Sequence, residues 1–400
     1  MQFGIDVLLQ DASLRGSLAG RRVALLGHPA SVTESCRHSL DALIDCPDLH
    51  VVAAFGPQHG MQGDKQDNMI ESEDYVDPRH GIPVFSLYSD VRRPTDAMTE
   101  TFDVLLVDLQ DIGARPYTYI TTLTYFIEAC AAHGKAIWVL DRPNPIGRPI
   151  EGVILSREWT SFVGIEGLIM RHGLTLGELA RWFVAQRKLD FELNVVSVTG
   201  YDPEAGAGHG WPLGERSWVN PSPNASSLNM ARCFPGTVLF EGTTLSEGRG
   251  TTTPLEVVGA CDIDFDAVLN RLQSLAPAWL AGCTLRRCCF EPTFDKHTGR
   301  TCSGLQIHAD NSLYRHEAFR PFRLGALLLK AIRLEQPDYP LWRRFRFEYE
   351  AERLPFDLLS GGTFLREWVD DPAAEPGDLD SRLIRDEQQW RDIRAPFLVY

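Results

Sequence analysis

The first half of this 400-residue chain returns again and again to short, uninterrupted apolar runs, and that recurrence constrains its fold most. Arg22–Gly27, Val51–Gly56, Ile82–Leu87, Val104–Leu109, Ala136–Leu140 and Asn194–Val198 are each too short for an ordinary helix. They do not alternate with polar residues, so they read as strands covered on both faces, the signature of a parallel sheet. Helical patterns separate them. Thr33–Ile44 is one. A second places Ile120, Leu123, Ile127, Cys130 and Ala131 at helical spacing and stops at His133-Gly134. A third opens with a capping box at Thr175 and Glu178, with Leu174 positioned to staple against Leu179. Between Gly200 and Asn229, glycine, proline, serine and asparagine dominate, too long a stretch for a compact connector. From about Met230 the texture becomes α+β, with helices predicted over Asp264–Leu275 and Gly325–Leu334 and an alternating stretch at Gly304–His308.

The net charge, 39 − 54 = −15, leaves nothing to neutralise a phosphate backbone or an anionic bilayer, which excludes nucleic-acid and membrane partners. No apolar stretch approaches the ~18 residues of a membrane helix. The segment Met1–Asp6 has neither a basic nor an apolar leader region, so the expected location is cytoplasmic. The nine cysteines are odd in number and form no Cys-x-x-Cys, which predicts reduced thiols.

In an open α/β sheet, ligands gather beyond the carboxyl ends of the strands. The loop after the first strand, Gly27–Ser31, matches neither phosphate-cradling glycine motif, so dinucleotide and P-loop chemistry are not expected. Three other loops converge on the same edge: 56–64 with Gln58, His59 and Asp64; 108–119 with Asp111, Arg115, Tyr117 and Tyr119; and 141–147 with Asp141 and Asn144. Structural roles compete with functional ones here. Asp108 and Asp141 suit strand-end caps equally well, Arg115 suits an ion pair, and His59 suits a turn. Helical spacing extends the core-facing stripe to 117, but its place in the first turn, at the N-terminal rim, predicts the Tyr117 hydroxyl in the cleft near Gln58 and Arg115, with a lowered pKa suited to proton transfer, or else packed as a cap on the helix entry; Tyr119 is expected to pack more against protein. A polar run follows at 241–252, with Glu241, Glu247, Arg249 and Thr252. Upstream, Asn224 lies near Trp218, which reads as a sugar-stacking or a core indole.

Several motifs together resemble one family. They are Phe3–Leu8, the Pro-x-His-Gly-x-x-Gly loop at Pro57–Gly63, Val107–Tyr119, Leu140–Gly147, Arg171–Thr175, Pro221–Asn224 and Glu241–Thr252. In this order they resemble the NamZ-type exo-β-N-acetylmuramidases, also called DUF1343. The resemblance implies a Rossmann-like α/β domain without nucleotide, residues 1–228, and a smaller α+β domain, 229–400, closing over its cleft. It implies a glycoside hydrolase that releases terminal N-acetylmuramic acid from peptidoglycan fragments in cell-wall recycling. The substrate would be a small muropeptide or amino sugar, with no metal and no organic cofactor.

One position departs from the family pattern, where Pro-Glu-His-Gly is usual: here the glutamate is Gln58, and a carboxamide exchanges no proton near neutral pH. The surviving catalytic carboxylate is therefore expected to be Glu247 first and Glu241 second, with Tyr117 assisting. Arg115 or Arg249 would grip the lactyl carboxylate. Gln58, His59, Asp64, Asp111, Asp141, Asn144, Asn224 and Thr252 complete the expected sugar-binding set. The alternative is a muropeptide-binding protein that has lost catalysis.

Overall fold

A computed structural model describes residues 1–67, 69–204 and 209–400. Its main sheet has seven strands: β1 (Arg22–Leu26), β2 (His50–Gly56), β3 (Tyr75–Val76), β4 (Pro83–Ser86), β5 (Val104–Val107), β6 (Ala136–Leu140) and, after a separate two-stranded ribbon, β9 (Leu193–Val196). The ribbon pairs β7 (Glu151–Ile154) with β8 (Ile169–Arg171). The sheet order is β3-β4-β2-β1-β5-β6-β9, parallel throughout except for the short edge strand β3. Without β3 this is the doubly wound order, reversing direction between β1 and β5. The unbroken apolar runs follow from two cores. Val23, Leu25, Val104, Leu106 and Trp138 pack on one face, while Ala24, Leu26, Leu105, Val107 and Val139 pack on the other.

The helix before β6 spans Tyr119–His133 and ends with Gly134 in the left-handed conformation, as its stop signal predicts. Thr175 and Glu178 form the predicted capping box. One helix is shorter than expected. Only Ser39–Ile44 is helical. Residues 33–38 instead fold into a turn, closed by Thr33 N–H bonding to Arg37 O at 2.9 Å and by Cys36 at φ 59°. In the long Gly200–Asn229 connection, residues 205–208 lie outside the described residues. Its described part is pinned by Trp218, whose indole N–H donates to Ala225 O at 2.9 Å and whose ring meets Trp211 edge-on. Trp218 packs on the core and is absent from the cavity wall described below, so the sugar-stacking reading does not hold for it.

The second half carries a three-stranded antiparallel sheet, β10 (Val257–Ala260), β12 (Cys302–His308) and β11 (Thr284–Phe290), in that spatial order. It packs with helices Phe265–Leu275 and Pro321–Glu335. The closing helix, Pro376–Arg394, returns to the first half. There Trp390 donates to His172 O at 2.9 Å, and Tyr400 donates to Asp141 at 2.9 Å. Among the described residues no helix is long and apolar enough to cross a membrane.

Candidate active site

The crevice where a doubly wound sheet ordinarily takes a nucleotide is filled by protein. Asp108, just past β5, is fully buried and receives a two-pronged bond from Arg142 at 2.6 and 3.0 Å. Ser39 donates to the same carboxylate at 2.5 Å, and the Ser31 hydroxyl bonds to the Asp108 carbonyl. Burial holds the neighbouring His28 imidazole well below its ordinary pKa, so it is neutral, and it accepts from Gln110 N–H at 2.8 Å. A buried ion pair with its hydrogen bonds complete is a structural plug.

A narrow, half-open cavity of about 50 Å³ opens beside this plug. One side comes from the loop after β2. There His59 and Gly60 both take positive φ, 70° and 77°, and a Cβ on Gly56 would fall 2.5 Å from Met61 N. The tight loop presents Gln58 and His59 to the cavity. The His59 Nδ1–H donates to Lys65 O at 2.9 Å, because a carbonyl only accepts. Nε2 therefore carries the lone pair. Burial lowers His59 to about 4, so the ring is neutral across the physiological range.

Gln58 is held at both ends of its amide. Thr118 donates to its Oε1 at 2.7 Å, which orients Nε2 toward Glu348 Oε1 at 2.9 Å. Glu348 comes from the second half of the chain and accepts a second bond, from the Tyr88 hydroxyl, at 2.7 Å. Burial raises its carboxyl to about 7. The bonds from Tyr88 and Gln58 oppose that rise, and the nearby Glu241 adds to it. Glu348 and Tyr349 are the two central residues of a tight hairpin turn closed by reciprocal 2.9 Å bonds between Phe347 and Glu350. Both adopt positive φ, 47° and 70°, where Asn and Gly are the usual occupants. Such strain persists only where the surroundings impose it. Here Arg92 is sandwiched 3.9 Å from both the Tyr88 and Tyr349 rings, and Tyr349 bonds to Glu71 at 2.5 Å.

The opposite wall carries charge. Arg249 contacts Glu241 at 2.5 Å and Glu247 at 3.2 Å, and Lys296 reaches Glu247 at 2.5 Å. Burial works against the Arg249 charge, but Glu241 and Glu247 outweigh it and hold the guanidinium above its ordinary value. Burial raises the Glu241 carboxyl, Arg249 partly offsets this, and Glu247 adds to it.

The structure gathers six of the expected residues on the cavity wall: Gln58, His59, Tyr117, Asn224, Glu241 and Arg249. Seven are elsewhere. Glu247 is 1% exposed behind Arg249, bound to two cations, and is a countercharge with no face on the cavity. Arg115 is fully buried among the carbonyls of Val153, Leu168 and Leu359, and burial lowers it to about 9, so no substrate carboxylate reaches it. Asp141 is a cap, bonded by Thr175 at 2.6 Å, Gly177 at 2.9 Å and Tyr400. Asn144 bonds to Ile146 N and Leu174 O. Asp111 turns back on Gly113 N at 2.6 Å and His172 at 3.3 Å. Asp64 is exposed and paired with Lys65, and Thr252 is exposed.

The tyrosines also differ from expectation. Both line the cavity, and Tyr117 donates to Ser222 at 3.0 Å while Tyr119 donates to Pro221 O at 2.6 Å. Burial raises both phenols, so the lowered pKa expected for Tyr117 is reversed. The partner of Gln58 is Thr118, one residue on. Glu348 and Tyr88 are the residues that sequence reasoning missed. The available signal was weak: Phe345–Glu350 holds aromatics among charges but no glycine or asparagine to mark the turn.

A filled nucleotide crevice, beside a cavity that draws a buried carboxyl, Glu241, and a partly buried one, Glu348, from two second-half segments, defines a two-domain α/β protein whose pocket carries groups suited to proton transfer. More specifically, the chain belongs to the exo-β-N-acetylmuramidase NamZ family. The model of that family's N-terminal part matches residues 23–229, and that of its C-terminal part matches residues 232–400. The chain is 36% identical over its whole length to the peptidoglycan β-N-acetylmuramidase NamZ of Bacillus subtilis (strain 168), covering 91% of that protein. Two crystal structures of DUF1343 family proteins from Bacteroides fragilis NCTC 9343 share the fold across the full chain and 98% of theirs. They do so with TM-scores of 0.84 and 0.75 at 28% and 26% identity.

Proposed function

We propose that this protein is an exo-acting glycoside hydrolase that releases terminal N-acetylmuramic acid from peptidoglycan fragments, with Glu348 as its proton donor. Membership of the NamZ family and the full-length likeness to a peptidoglycan β-N-acetylmuramidase support the reaction class. The observation that carries the assignment within this chain is the Gln58–Glu348 contact at 2.9 Å. Gln58 has no proton to give, but it abuts a carboxyl raised to about 7, poised to protonate a leaving oxygen near neutrality. That removes the main reason for reading the chain as a binding protein without turnover.

Arg249 is the one cationic side chain on the cavity wall among the described residues, so the lactyl carboxylate of muramic acid is assigned to it. Glu241 provides the second carboxyl group that glycoside hydrolysis ordinarily needs. His59 offers a neutral acceptor at Nε2 for a sugar hydroxyl or amide N–H. The narrow cavity favours small, already released fragments, and the activity is assigned to cell-wall recycling in the cytoplasm. The test is release of free N-acetylmuramic acid from a muramyl disaccharide. Turnover by the wild type and its loss in Glu348→Gln, with binding retained by calorimetry, is expected. Equal turnover in Glu348→Gln would end the assignment of the proton donor.

A further inference from the structure

Away from the cavity, three donors converge without any metal-binding spacing in the sequence. Cys261 follows β10, Cys302 opens β12, and His297 lies in the loop between β11 and β12, 36 residues from Cys261. The antiparallel register that pairs Ala260 with Ser303 brings Cys261 opposite Cys302, with their sulfurs 3.7 Å apart. His297 Nδ1 is 3.3 Å from the Cys261 sulfur, and all three donor atoms lie within 4.8 Å of one another. We propose that Cys261, His297 and Cys302 form a zinc site with an open fourth position.

Three observations carry this. The first is dimensional. A tetrahedral ion with Zn–S near 2.3 Å and Zn–N near 2.0 Å spans about 3.8 Å between two sulfurs and about 3.5 Å between sulfur and nitrogen. The observed 3.7 and 3.3 Å lie close to those edges. The second is the tautomer. His297 Nε2 is 3.0 Å from Thr244 O, which only accepts, so Nε2 carries the hydrogen and Nδ1 presents its lone pair to the sulfurs. This is the outer hydrogen bond that metal-bound histidines ordinarily make. The third is access. Cys302 is buried, while Cys261 and His297 are partly exposed, which gives an ion a way in.

Binding is balanced simply: Zn²⁺ enters, both thiols ionise, two protons leave, and the neutral imidazole contributes its lone pair. The site also bears on the cavity. Lys296, next in sequence to His297, holds Glu247, which in turn contacts Arg249. A metal on His297 would fix the turn that carries Lys296.

The test uses the full-length reduced protein and zinc chloride. The expected result is one zinc per chain by elemental analysis after desalting, with release of two protons on titration. Cobalt(II) should give thiolate charge-transfer bands and tetrahedral d–d bands. The double variant Cys261→Ser/Cys302→Ser should lose the metal while retaining its circular dichroism. Should that variant fail to fold, His297→Ala serves instead, with affinity expected to fall by about a hundredfold or more. Failure of the folded, reduced wild type to retain zinc would overturn the proposal, as would retention unchanged in these variants. A Cys261–Cys302 disulfide in protein purified with zinc and without reductant would overturn it too. Cys36→Ser, at an exposed thiol elsewhere, is the control.

Discussion

The Gln58 side-chain amide donates to the Glu348 carboxyl across 2.9 Å, joining positions 290 residues apart in the chain. An amide cannot titrate, so the proton chemistry of this contact belongs to Glu348 alone. Since a proton donor works only while protonated, kcat is expected to be full below pH about 6 and to fall as pH rises through about 7. Glu348→Gln should lower kcat by about 10²–10⁴ with little change in Tm, and should abolish this limb of the pH–rate profile. A profile flat from pH 5 to about 9 in the wild type would count against Glu348 as the acid.

Tyr88→Phe tests the direction of the shift. The Tyr88 hydroxyl donates to Glu348 at 2.7 Å and favours its ionised form. Removing that donor should move the falling limb to higher pH, because the charged carboxyl loses a stabilising bond. A shift toward lower pH would contradict the hydrogen-bond assignment.

Gln58→Glu places a second carboxyl against the first. Two such groups in hydrogen-bond contact share a proton and titrate as a pair, with the upper step raised. The variant should stay active, and its falling limb should lie above that of the wild type. Loss of activity at every pH would show that the Gln58 amide itself is required.

Arg249→Lys keeps the charge but loses the guanidinium fork. KM for a muramyl substrate should rise by about tenfold, while KM for the corresponding glucosaminyl compound, which has no lactyl carboxylate, should change little. Equal effects on both would place the lactyl group elsewhere.

Asp141→Asn separates fold from chemistry. The carboxylate accepts from Thr175, Gly177 and Tyr400, and an amide cannot satisfy all three, so stability should fall by about 1–3 kcal/mol. Turnover per folded molecule should be unchanged. Burial raises Asp141 to about 6, above its ordinary value of 3.8, so the folded state binds more protons between those values. Wild-type stability gains a contribution below pH about 4 that is lost as pH rises to about 6, and the variant should lack that slope. Denaturant melts at several pH values measure both effects.

The sheet was legible because burial on two faces leaves a continuous apolar record, as in Val23–Leu26 and Val104–Val107. The capping box at Thr175 and the Gly134 stop were legible because each is local chemistry. The site was legible only in part. Gln58, Glu241 and Arg249 stand in dense polar loops and were found. Asp141, Asn144 and Arg115 stand in equally polar loops, but their side chains satisfy backbone groups, which depends on what packs above them. Glu348 was invisible because its turn breaks the usual residue preference, and because its partners Tyr88 and Gln58 are 260 and 290 residues away.

The contact between Gln58 and Glu348 crosses from the first half of the chain to the second, which bears on how such sequences diverge. A substitution at either position changes the proton inventory of the contact, so the two positions are chemically coupled. A hybrid gene that joins the first half of a relative with glutamate at this position to the second half of this chain would encode a carboxyl pair where this chain has an amide and an acid. Its pH range would match that of neither parent, although every residue in it had been selected in one of them.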